Sequence, residues 1–107
     1  MSKYMIKASY STEGIKGLLS GGGSARQAAI EKLISGVGGS LESCYFAFGT
    51  DDIYIVADVP SQAAAVAIAG TVSASGAVSR YETVVLLTPA EVDEAQNIAV
   101  DYAPPGT

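Results

Sequence analysis

Gly21-Gly22-Gly23-Ser24-Ala25-Arg26 is the first run in this sequence whose residue types fit a chemical task. A glycine turn feeding a helix presents backbone N–H groups and the positive end of the helix dipole. Arg26 adds a bidentate donor for carboxylate or phosphate, and Lys16 joins from the preceding connection. Lys16, Gly23, Ser24 and Arg26 are therefore candidate ligand-binding residues for a small anionic metabolite. The run is not a Walker loop, which ends in Gly-Lys-Ser/Thr and follows a strand directly. The competing reading is a flexible loop followed by a helix cap.

Asp51, Asp52 and Asp58 form the second constellation. Paired carboxylates hold metals or divide acid and base roles. Asp51 and Asp52 are adjacent, so on a strand they point in opposite directions, and turn aspartates commonly cap their own backbone. No metal site is assigned. The third set is aromatic: Tyr4, Tyr10, Tyr45, Phe46, Phe48, Tyr54 and Tyr81. Tyrosines on one sheet face can line a pocket and donate protons, or simply pack a subunit interface. The lone Cys44 lies mid-strand among apolar neighbours, where a thiol is inert.

Histidine is absent. That excludes Ser-His and Cys-His nucleophile pairs, His-ligated haem and His-containing zinc sites. No cofactor is expected. The formal net charge is −5, and the six cations are scattered. A basic footprint for nucleic acid or for an anionic membrane is missing. One cysteine permits no intrachain disulfide, and no signal peptide or membrane-spanning stretch is visible, so cytoplasm is the expected compartment. Charged residues make up 16% of the 107 and hydrophobic residues 49%. So apolar a balance in one small domain points to surface hidden in a homo-oligomer.

The elements that must position these residues follow from periodicity. Lys3 to Ser9 alternates and predicts a strand. Ser11 to Gly23 predicts a long connection with one short helical turn around Ile15, Leu18 and Leu19. Ser24 and Gln27 form a capping-box pattern that opens a helix with Ile30, Leu33, Ile34 and Val37 on one stripe. Leu41 to Phe48 and Ile53 to Val59 predict two strands joined through Gly49-Thr50-Asp51-Asp52. Both faces of these strands are largely apolar, which predicts a cover on each side. Ser61 caps a second, alanine-rich helix that Gly76 ends, and Val78 to Leu87 is the fourth strand. Thr88-Pro89-Ala90-Glu91 is a capping box for a third helix running to about Val100. The result is a single α+β domain over residues 1–107. It is ferredoxin-like, β-α-β-β-α-β, with an added C-terminal helix and an antiparallel sheet.

The chain resembles the GYD-domain family, small bacterial proteins grouped with the dimeric α/β-barrel folds. The likeness rests on Tyr4-Met5-Ile6 with Ala8-Ser9-Tyr10, Glu13-Gly14, Lys16-Gly17-Leu18-Leu19 and Gly22-Gly23-Ser24-Ala25-Arg26. It continues through Tyr45-Phe46-Ala47-Phe48-Gly49, Asp52, Asp58-Val59-Pro60, Leu87-Thr88-Pro89-Ala90-Glu91 and Asp101-Tyr102. Asp51 stands where the signature tyrosine is expected, and Asp52 falls on the signature aspartate. The resemblance implies a fold and a dimeric α/β-barrel-like assembly, but no reaction.

Three function classes follow. The first is a binding or sensory module for a small anionic metabolite near Ser24 and Arg26. The second is a cofactor-independent isomerase or monooxygenase of the dimeric-barrel type, with Tyr45 and Asp52 as catalytic candidates. The third is an assembly or partner-binding protein without a small-molecule site. Lack of histidine removes the commonest general base and favours the first.

Overall fold

The computed structural model describes residues 1–107. The element order is β1 (Ser2–Tyr10), α1 (Thr12–Gly21), α2 (Gly23–Gly36), β2 (Ser40–Phe46), β3 (Ile53–Val59), α3 (Gln62–Ala74), β4 (Val78–Leu86) and α4 (Pro89–Gln96). The four strands form one antiparallel sheet in the order β2-β3-β1-β4. This is the ferredoxin-like arrangement with an extra helix after β1 and another after β4. No helix is long and apolar enough to cross a membrane.

Alternation along the strands decides the core. Tyr4, Ile6 and Ala8 of β1 and Ile53, Ile55, Ala57 and Val59 of β3 are all buried. Ile6 sits opposite Ile55, and Ala8 opposite Ile53. On this face the two central strands lie beneath the helices. α2 contributes Ile30 and Ile34, and α3 contributes Ala65 and Ile68. The predicted α2 stripe is thus realised, with Leu33 and Val37 half-buried beside it. α2 packs on β2, while α3 packs on β3 and β4.

Several boundaries differ from the sequence reading, each for a local reason. The connection after β1 is a full helix, α1, rather than one turn. Ser11 caps it by accepting from the Gly14 N–H at 3.1 Å. Gly14 and Gly17 lower helix propensity there, but a Cβ at position 14 would collide with the Ala77 carbonyl. The glycine that weakens the helical signal is what lets α1 approach the α3–β4 junction. The Ser24–Gln27 capping box does not form. α2 starts at Gly23 with Gly22 as its cap and no side-chain cap hydrogen bond. Gly22 sits at φ 90°, its N–H donates to Leu18 O at 2.7 Å, and its carbonyl accepts from Arg26 N at 3.2 Å. One glycine backbone therefore ends α1 and begins α2, which leaves Ser24 inside the first turn.

β2 ends at Phe46, because the Ala47 N–H turns to Asp52 O and Phe48 lies 84% exposed. Ser61 caps α3 as expected, accepting from Ala64 N, and the Thr88–Glu91 capping box is complete. α4 stops at Gln96 rather than near Val100.

The second sheet face has no cover. Met5, Val56 and Val84 stand in one row across it, with Tyr54, Tyr45 and Leu86 nearby. Lys3–Glu42 and Lys7–Glu82 ion pairs, at 2.7 and 2.9 Å, flank the row.

Candidate functional site

α2 and α3 rest on opposite halves of the sheet, and a cleft of about 640 Å³ opens between them. Its floor is Ile6, Ala8, Ile53 and Ile55 from the sheet. Ala29, Ile30 and Leu33 of α2 form one wall, and Ile68 and Val72 of α3 the other. Gly14 and Gly17 of α1 contribute to the same lining. An apolar concavity of this size with a few polar groups has the form of a small-molecule site.

The polar side chains of the lining are Tyr10, Glu13, Arg26, Thr71, Ser75 and Tyr81, and Lys16 pairs with Glu13. Four of the six cations, Lys3, Lys7, Lys16 and Arg80, are ion-paired. Arg26 and Lys32 are not, and of these two Arg26 lines the cleft. The Tyr81 hydroxyl is buried without a hydrogen-bond partner. Burial pushes its pKa up, and the neighbouring Thr83 hydroxyl opposes that only in part, without an adequate hydrogen bond. Burial also raises the pKa of Tyr10, against the pull of Arg26. Both phenols therefore stay protonated at neutral pH and act as hydrogen-bond donors rather than bases. No three acidic or cysteine side chains converge on a metal-sized site.

The sequence-derived candidates separate in space. Arg26 lines the cleft, whereas Gly23 and Ser24 do not. Gly23 instead faces the Phe46 ring, which a Cβ there would meet at 3.4 Å. Lys16 is exposed and pairs with Glu13 at 3.6 Å, so its neighbour Gly17 rather than its amine touches the cleft. Tyr45 is 71% exposed on the open sheet face, opposite Tyr54. Asp52 holds backbone together: its Oδ2 accepts from Tyr10 N at 2.9 Å, and its own N–H donates to Ala8 O. Cys44 is half-buried, and burial raises its thiol pKa.

Asp51 is more than a turn residue. It is the one polar residue among the 13 buried ones. Its Oδ1 accepts from Arg80 Nη2 at 2.6 Å, Arg80 Nε at 3.1 Å and Ser9 Oγ at 3.2 Å. The Arg80 hydrogen bonds hold the carboxyl below its ordinary range, against the effect of burial. Arg80 also donates to Thr50 O at 2.6 Å. The pair clamps the β2–β3 connection across the end of β1 onto β4. Sequence reading missed this clamp, and it placed Tyr81 among possible pocket-lining tyrosines without showing that its hydroxyl lacks a partner. The alternation of β4 put Tyr81 and Arg80 on opposite faces, which was the available signal, but nothing in the spacing tied Arg80 to Asp51.

None of the curated proteins matches this chain. The GYD domain family model matches residues 4–96, from the first strand to the end of α4. That match covers most of the chain, including the cleft, the clamp and the capped C-terminal helix. The chain belongs to the GYD domain family.

Proposed function

We propose that this protein is a binding module for a small anionic molecule with an apolar body, held in the cleft between α2 and α3. The observation that supports this best is Arg26, an unpaired guanidinium lining an apolar cleft whose wall includes Tyr81, the residue with a buried, partnerless hydroxyl. A ligand carboxylate meets Arg26 in a charge-assisted hydrogen bond, and its apolar body covers Ile6, Ile53 and Leu33. A polar group on that body accepts from Tyr81. Tyr45 and Asp52, the catalytic candidates, lie outside the cleft lining, so binding is preferred to catalysis. The module works as a homo-oligomer in the cytoplasm. The uncovered apolar row on the sheet motivates the first point, and a lone cysteine that needs no oxidising compartment the second.

The test is a thermal-shift and calorimetry panel of aromatic and medium-chain aliphatic carboxylates, each beside its neutral amide. Carboxylates should raise Tm more than their amides do. Arg26→Gln should weaken carboxylate binding roughly 10- to 100-fold, the scale of a lost charged hydrogen bond. Tyr81→Phe should leave the unliganded protein as stable or more so, because it removes an unpaired buried hydroxyl, yet weaken ligands with a polar group on the body. If no carboxylate stabilises the fold, or Arg26→Gln binds as tightly as the parent, the reading is wrong.

A further inference from the structure

Every residue from Leu87 to Thr107 is exposed. Leu87, Val92, Ile98, Val100 and Tyr102 are among them, between 55% and 77% exposed. An eight-residue helix such as α4 is not stable alone in water, so even a complete capping box leaves it needing a surface. The molecule is drawn out to match. Its longest extent is 57 Å and its radius of gyration 16.9 Å, against about 13 Å for a compact chain of this length. Beyond α4, Ile98, Val100 and Tyr102 alternate with Ala99, Asp101 and Ala103, the pattern of a strand with one apolar face. That segment pairs with nothing.

A matching acceptor lies on the same chain. β4 is an edge strand with one free side. Between it and α3 runs a groove of about 500 Å³, bordered by Val66, Ala69 and Gly70 of α3 and by Thr83 and Val85 of β4. No charged side chain lines it, and Val66 and Val85 are 69% and 54% exposed. A strand added to the β4 edge would lie beneath α3 and turn alternate side chains into this groove.

We propose that residues 98–102 of one copy add as a strand to the β4 edge of a second copy, where Ile98, Val100 and Tyr102 fill the α3–β4 groove. The same alternation keeps Asp101 on the opposite face, away from the uncharged lining. The donor is a second copy because the chain's own arm projects away from the body, with every residue from 87 to 107 exposed and Val66 and Val85 of its own groove left uncovered. Each copy gives an arm and receives one, so the contact closes as a two-fold dimer. The groove and the α2–α3 cleft share only Tyr81, and neither Val66 nor Val100 touches the cleft, so the test of the arm does not depend on the ligand reading.

The experiment places photoreactive p-benzoylphenylalanine at Val100 in the full-length chain, a position exposed enough to leave folding intact. Isotopically heavy and light chains are refolded together, irradiated and mapped by mass spectrometry. Mixed heavy–light crosslinks from position 100 to α3 or β4 are expected. Adding Val66→Arg to the acceptor should reduce their yield at least about tenfold. Crosslinks confined within one chain, crosslinks to another surface, no crosslinks, or an undiminished yield with Val66→Arg would each overturn the proposal.

Discussion

A buried carboxylate with three donors on one oxygen makes stability depend on pH with a definite sign. Arg80 lowers the Asp51 pKa below its ordinary value of 3.8. The folded state therefore binds the Asp51 proton less tightly than the unfolded chain does. The stabilisation is fully present above the ordinary value and is lost as pH falls through the lower, folded one. Asp51→Asn removes this contribution. Its urea midpoint should lie below the parent's at neutral pH, and the gap should close progressively below about pH 4. A gap that stays constant down to strongly acidic pH would show that the clamp acts through packing alone. Arg80→Gln should lower the neutral-pH midpoint further than Asp51→Asn, because it leaves the buried carboxylate charged without its partner, and that gap too should close in acid. At this scale the sequence was partly legible. Arg26 was recognisable because a guanidinium beside a glycine-rich helix start has a local meaning. The Asp51–Arg80 pair was not, because 29 positions separate its members and only the pairing of β1 with β4 joins them. The isolation of the Tyr81 hydroxyl was likewise invisible, since lacking a partner is a property of the packed fold.

Glycine governs the elements. At Gly39 the chain leaves α2 for β2, and a Cβ there would run into the Asp58 carbonyl and press on Ile34. Ile34 is fully buried, and its carbonyl accepts the Gly39 N–H at 3.0 Å. Neither neighbour can yield without moving α2 or β3. Gly39→Ala should therefore cost about 1–3 kcal/mol, the scale of core overpacking, read as a lowered denaturant midpoint with unchanged slope. Gly36→Ala is the control, because nothing lies within 4 Å of a Cβ at that position. If both substitutions cost the same, the close approach at Gly39 is not what matters. The contrast also explains which elements could be read in advance. α3 announced itself through Ser61 and a long alanine run, and β3 through a short apolar run rich in β-branched residues. α1 was underestimated because Gly14 serves contact with Ala77 rather than helix propensity. The stripe of α2 was clear, but its start was misplaced because Gly22 supplies through backbone what Ser24 was expected to supply through its side chain.

At the scale of the molecule, the apolar row of Met5, Val56 and Val84 remains to be explained. The sequence showed that both faces of the middle strands are apolar, and the structure shows that helices cover only one. A second copy suits the other face on grounds of charge. Lys3 and Lys7 beside the row are already paired with Glu42, Asp58 and Glu82, so the same face can meet itself without unpaired like charges. These exposed pairs add little stability of their own, which leaves the apolar row as the main attraction. Val84→Asp places a carboxylate on that row in both partners at once, and burying it unpaired is costly. The parent should sediment as an oligomer at micromolar concentration, and Val84→Asp should lower its mass by half or more while far-UV circular dichroism stays unchanged. Arm exchange through residues 98–102 uses a different surface, so arm-linked pairs should survive this substitution. A parent that is monomeric under these conditions, or a Val84→Asp variant that keeps the parent's mass, would leave the sheet face without a self-association role. The doubly apolar strands would then need some other occupant.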